Sequence, residues 1–355
     1  MKRDICRWTV LIALIFCLSA PAVLAQQGSD PVQDRQALSG PWVHAMTLGP
    51  PGPSPAAEPL RLLPDPNGQR EGDAYPLYEK AFTSLGPNVP FQQIIDWVNE
   101  EGAGFPIEEA VQILATYESA LSQLERGAQR RHCNWPRIKV GANVPHIAEL
   151  RELIGLVALQ ARVRLEERRF AEAATSLQTG MVLTYRLGQA PLVIQGTMAM
   201  GMESVLWCRP LRHWIQVPRS PSLYNAIAAL PPSLVDIDKQ FQYEADNLSF
   251  FQRLMYKRTK KQILDPAQAR LRFLQKRANR DMASLQVVEA LRHHASTHQG
   301  RFPQTLAELD FPVPDDPTTG KPFVYRLEQG TAIIESTPKE GGAKESLQYT
   351  LQWRQ

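Results

Sequence analysis

The side chains able to do chemistry gather in a few short stretches. His293, His294 and His298 stand close together. If that stretch is helical, the four-residue step puts His294 and His298 on one face, with Glu289 one turn before His293, a spacing from which a divalent cation could be captured. The competing reading is a set of solvated histidines in a helix's last turn, where partly negative carbonyls favour them. Glu203 lies in an apolar run. It is either a carboxylic acid with a raised pKa, suited to general acid work, or a partner for Arg209 or Arg212. Asp315 and Asp316, with the carbonyls of a proline-rich turn, either hold calcium or close an Asx turn.

Well-marked enzyme signatures are missing. Gly102-Ala103-Gly104 lacks the third glycine of a phosphate-binding loop, and Gly320-Lys321 is followed by Pro322 with no upstream glycine at the right distance. There is no Gly-x-Ser-x-Gly, no His-Glu-x-x-His and no Cys-x-x-Cys. No cofactor is expected. The leading function is therefore a non-catalytic protein acting through binding or structure. A hydrolase using Glu203 and the histidines in a shared cleft is the second hypothesis.

The elements that must position these groups are mostly helices. From Ile147 to Glu167, Leu150, Leu153, Ile154, Val157, Ala161 and Leu165 recur at helical spacing. After a charged corner, Phe170, Ala173, Ala174, Leu177 and Met181 form a second stripe, making an antiparallel hairpin. Pro191 opens a third helix, Leu192 to Cys208, apolar nearly all round and so buried. Upstream, Asp73 caps a helix ended by Gly86-Pro87, a shorter one covers Phe91 to Asn99, and Pro106 to Gln129 reads as one amphipathic helix. Its basic end, Arg126, Arg130, Arg131 and His132, reads as a solvated helix terminus before Cys133, Asn134 and Trp135. A further helix begins near Ser233, and another runs from Met282 to about Thr297.

The ends of the chain differ from this pattern. Lys2, Arg3 and Arg7 precede an apolar run from Val10 to Leu18, and Val23-Leu24-Ala25 has the small residues of a cleavage site. Residues 1–25 are thus an export signal, leading to a periplasmic or secreted protein; an uncleaved inner-membrane anchor is the alternative. Phe16 before Cys17 spoils a lipoprotein box. Cleavage would lower the net charge from +3 to +1, so global charge implies no partner. Cys133 and Cys208 then remain, either as a disulfide or as two buried thiols. Residues 26–70 are proline-rich and read as a linker. At the other end, Phe323, Tyr325 and Leu327, then Ala332 to Ser336, then Leu347 to Trp353 alternate as three antiparallel strands.

Between Phe251 and Arg280 ten bases face the single acid Asp265. With Lys257, Arg258, Lys260 and Lys261 at its densest part, the segment could lie on an anionic membrane surface, or be a solvated face neutralised by acids elsewhere. No nucleic-acid motif accompanies it.

The residues Asp73-Ala74-Tyr75, Tyr78, Ala81-Phe82, Cys133-Asn134-Trp135 and Pro191-Leu192-Val193-Ile194 resemble those of uncharacterised exported helical proteins of planctomycete-type bacteria, over about residues 71–250. That resemblance implies a helical fold and export, with no chemistry attached. Ala161, Phe170, Ala173, Leu177 and Gly180 resemble one tetratricopeptide unit; Ser204 and Trp207 stand where it should recur, so no array follows. His298-Gln299-Gly300-Arg301-Phe302-Pro303, Leu306, Leu309, and Asp316-Pro317 to Gly320 before Phe323-Val324-Tyr325 resemble the globular end of type II secretion major pseudopilins. This implies a small helix-plus-sheet module but no filament assembly, since some 280 residues separate it from the N-terminal end; a secretion-apparatus or membrane-surface component using residues 251–280 is the third hypothesis. The expected architecture is mainly α: a bundle-like domain of seven or eight helices over 71–281, then an α+β module over 282–355.

Overall fold

In a computed structural model of the chain, the described residues are 42–54, 60–100, 104–140, 144–203, 208–248, 253, 260–338 and 345–354. Residues 1–25, expected to be an export signal, lie outside them. The structure is mainly helical, as expected. Among the described residues, eleven helices run α1 Tyr75–Leu85, α2 Phe91–Asn99, α3 Ile107–Thr116, α4 Glu118–Ala128, α5 Ile147–Glu166, α6 Phe170–Gly188, α7 Val193–Gly201, α8 Cys208–Gln216, α9 Tyr224–Ala228, α10 Ile237–Asp246 and α11 Asp265–Thr297. The strands among them are β1 Trp42–Leu48, β2 Arg70–Asp73, β3 Arg130–His132, β4 Val324–Glu328, β5 Thr331–Ser336 and β6 Leu347–Trp353. No helix among the described residues is long and apolar enough to cross a membrane.

The α5–α6 hairpin is the centre of the helical body. α2 and α3 pack on α5, α7 packs on α6, and α1 packs on α4. Leu153, Ile154, Leu177 and Met181 are all at 0 % exposure, which is what continuous apolar stripes on both helices produce. One apolar core joins these helices to the sheet residues Leu48, Ile334, Tyr349 and Leu351.

Several expectations are corrected. The sheet has four strands in the order β1-β6-β5-β4 and is mixed. β4, β5 and β6 form the expected antiparallel meander, but β1 joins it in parallel, with Trp42 opposite Leu347 and Leu48 opposite Trp353. Residues 42–48 are thus an ordered strand and no linker; their inward positions are Trp42, His44, Met46 and Leu48. The chain after β1 is also docked, since Gly52 N donates to Ser220 O at 3.0 Å. The helix expected over Pro106 to Gln129 breaks at Tyr117 into α3 and α4; the Tyr117 hydroxyl, directed at Asn88 O at 3.0 Å, holds the corner. The third helix stays α-helical only to Gly201, and residues 202–203 form a π turn. The border expected at 281/282 falls inside α11, which runs for 33 residues without interruption. Composition changes there, but helical register does not.

Candidate binding groove

A groove of about 650 Å³ opens between three parts of the helical body. Its floor is one face of α6, where Val182, Tyr185, Arg186 and Gln189 follow one another at i, i+3, i+4 and i+7. One side is the end of β3 and the loop after it, Arg131 to Trp135. Another is the segment from Arg61 to Gln69, and Ala226, Ala229 and Pro231 complete the wall.

Arg186 organises the loop side. It is 8 % exposed, and its Nη1 donates to Tyr78 Oη at 2.6 Å and to Gly127 O at 2.8 Å. Its Nη2 reaches Ala128 O at 3.5 Å and also donates to Arg130 O. Gly127 and Ala128 are the last residues of α4, whose end carbonyls lack partners within the helix. A guanidinium brought from α6 caps them. Trp135 returns the contact, its Nε1 donating to Arg186 O at 3.0 Å, and its ring stands edge-on to Tyr75 at 5.7 Å.

Asp73 fixes the loop from below, accepting from Tyr75 N at 3.1 Å and from Asn134 N at 2.9 Å. Burial works to raise its pKa, yet these backbone donors outweigh burial and hold the carboxyl below its usual value. The Cys133 thiol is pushed up to about 12, chiefly by burial, so it is no nucleophile at neutral pH. At the rim, Arg131 meets Glu71 at 2.6 Å, His132 meets Glu71 at 3.7 Å, and Arg61 meets Asp65 at 3.6 Å. On the far side, Gln178 Nε2 donates to Arg61 O at 3.1 Å and anchors that segment on α6.

The residues singled out for chemistry lie elsewhere. Glu203 is 3 % exposed and its carboxyl is pushed up to about 8, by burial first and by Asp281 second. Arg212 Nη1 faces His44 Nε2 at 2.8 Å, and burial, then Arg212, lower that imidazole to about 3. His294 and His298 are stacked, ring centroids 3.8 Å apart. The His294 neighbours are His293, His298, Glu308 and Asp310, none of which surrounds Glu203. The shared cleft of Glu203 and the histidines does not form.

Glu289 turns away from the histidines to pair with Arg292 at 3.1 Å, and no group of three or more metal-ligating side chains stands among the described residues. The metal candidates His294 and His298 therefore stay a pair. Asp316 closes an Asx turn: its Oδ1 accepts from Thr318 N and Oγ1, and its Oδ2 from Thr319 Oγ1 and Ser336 Oγ. With these donors on a residue 1 % exposed, that carboxylate has no free face for calcium. Asp315 stays exposed beside it.

Cys133 and Cys208 are both free thiols. Cys133 sits among Asp73, Arg186 and the groove, while Cys208 packs against Glu203 O at 3.6 Å in the core. Of the basic segment, Lys257 and Arg258 lie outside the described residues; Lys260 and Lys261 occupy a π turn before α11. Past them four arginines hold acids: Arg270 and Arg277 each meet Glu345 at 2.9 Å, Arg272 meets Asp238 at 2.8 Å, and Arg280 meets Asp281 at 2.8 Å.

The groove was only half visible in the sequence. Arg131 to Trp135 stood out, but read as a solvated helix end, and residues 61–69 read as linker. The missed signal is on α6, where Tyr185, Arg186 and Gln189 break an otherwise apolar helix at positions that share a face with Val182. No family model, no curated protein and no solved structure matches the chain.

Proposed function

We propose that the protein is a non-catalytic binding protein of the cell envelope, carried out of the cytoplasm by residues 1–25 and working through this groove. The observation that supports the reading is the chemistry of the groove wall. A volume of about 650 Å³ lies in the range of small-molecule sites, roughly 300–1,000 Å³. The reactive types lining it are engaged or inert: the Arg186 guanidinium is bound to carbonyls and a phenol, and the thiol of Cys133 stays protonated. The hydrolase reading needs Glu203 to meet a substrate, and that carboxyl lies away from the groove in the core. The membrane-surface reading loses Arg270, Arg272, Arg277 and Arg280, which hold Glu345, Asp238 and Asp281, and with them much of the basic run it needs.

Two measurements test the proposal. The mature N-terminus, sequenced from an envelope fraction, is expected at Gln26; a start at Met1 in the soluble cytoplasm overturns export. Chromogenic ester, peptide and glycoside substrates are expected to give equal, background turnover with the wild type and with Glu203→Gln. Turnover lost in that variant overturns the non-catalytic assignment.

A further inference from the structure

The charges lining the groove are unbalanced. Arg61, Arg131, His132 and Arg186 line it, and no Asp or Glu does. The acids that meet the rim bases, Glu71 and Asp65, approach from outside the lining, and Glu71 is 71 % exposed. Arg186 carries a further positive charge into the wall. Among the described residues its partners are carbonyl oxygens and the Tyr78 hydroxyl, none of them a carboxylate. Such partners satisfy its N–H donors without cancelling its charge, and a concave site of one sign raises the local concentration of opposite charge. Beside the neutral polar groups of Gln69, Asn134 and Gln189, much of the remaining wall is apolar, from Leu62 and Val182 to the rings of Trp135 and Tyr185.

Resting on the binding role proposed above, we propose that the groove takes a small amphiphilic anion, an apolar body bearing one carboxylate or phosphate, whose head meets Arg131, His132 and Arg61 at the rim. The Arg131–Glu71 pair is no obstacle. Exposed ion pairs contribute little, so a ligand carboxylate with a planar fork to match can take the Glu71 position on that guanidinium. The apolar body then covers the floor of α6, where it removes hydrocarbon from water.

Calorimetric titration of the full-length mature protein tests this with four probes below their micellar concentrations: decanoate, decyl phosphate, neutral decanol and inorganic phosphate. The expected result is that decanoate and decyl phosphate bind at least tenfold more tightly than decanol, that inorganic phosphate alone binds weakest, and that only the anions weaken as salt rises. The double variant Arg61→Gln, Arg131→Gln, at exposed positions where folding is insensitive, is expected to lose at least tenfold for decanoate and nothing for decanol. Decanol binding as tightly as decanoate overturns the anionic ligand and leaves the binding role standing. If no apolar probe binds, both fall. Inorganic phosphate binding as well as decyl phosphate overturns the amphiphile and leaves a simple anion site.

Discussion

At Arg292 a single side chain joins three distant stretches. It is at 0 % exposure; Nε donates to Gly49 O at 2.9 Å, Nη2 to Ser220 O at 2.7 Å and to Ser220 Oγ at 2.9 Å, and Nη1 meets Glu289 at 3.1 Å. Its removal strands the Glu289 carboxylate in the core. Arg292→Met is expected to cost roughly 3–5 kcal/mol in urea denaturation. Adding Glu289→Gln should return part of that loss, since it deletes the stranded charge; a double variant as costly as the sum of the singles sinks the account. Glu203 and His44 set the pH response. The Glu203 carboxyl, raised to about 8 from an ordinary 4.5, favours folding when protonated, so its penalty is absent below about 4.5 and complete above about 8. His44, lowered to about 3 from 6.5, acts oppositely, its contribution being lost as pH falls from 6.5 toward 3. Thermal melts of Glu203→Gln should therefore gain on the wild type as pH rises from 5 to 8. An unchanged gap across that interval sinks the assignment.

Among the elements, the end of α11 is built around one residue. Gly300 has φ +81° and its N donates to Ala295 O at 2.8 Å, closing the helix. A Cβ there would lie 2.4 Å from Trp353 Cδ1. Gly300→Ala is expected to cost more than about 1 kcal/mol, the usual penalty of a side chain in this backbone region being of that order, and to shift Trp353 emission; an unaltered melt and spectrum would remove the clash. The basic run offers a second check. With Arg270, Arg272, Arg277 and Arg280 neutralised, anionic vesicles should bind the protein no better than neutral ones, and replacing Lys257, Arg258, Lys260 and Lys261 by Gln should change nothing. Salt-sensitive binding lost in that variant would restore the membrane reading. How far the sequence exposes an element depends on how local its reasons are. The helices of the α5–α6 hairpin and β6 each carry their periodicity within one element, and all fall where expected. β1 hides because His44 points inward and Val43 outward, the reverse of the usual sign, among prolines and with its partner at the far end of the chain. The groove hides for the same reason, its walls coming from segments that only packing brings together.

For the molecule as a whole, the expected border at 281/282 falls within a rod about 50 Å long at 1.5 Å per residue. α8 and α9 pack on that rod, and Arg270, Arg277 and Arg280 reach Glu345 just before β6. The helical body and the sheet should therefore melt in one transition. Deleting residues 347–355, which takes β6 from between β1 and β5, should lower the melting temperature of the helical signal as well as abolish the strand signal. A helical transition unmoved by the deletion would mean two independent parts. The pairing of β1 with β6 also sets a clock. A chain made from its N-terminus at about 5–20 residues per second releases β1 roughly 15–60 s before the strand that must cover it. Val43 and the open edge beside it spend that interval exposed to any other nascent strand, so the sheet can close no sooner than β6 has been made, and a slower ribosome lengthens that hazard while leaving the α5–α6 hairpin free to form early.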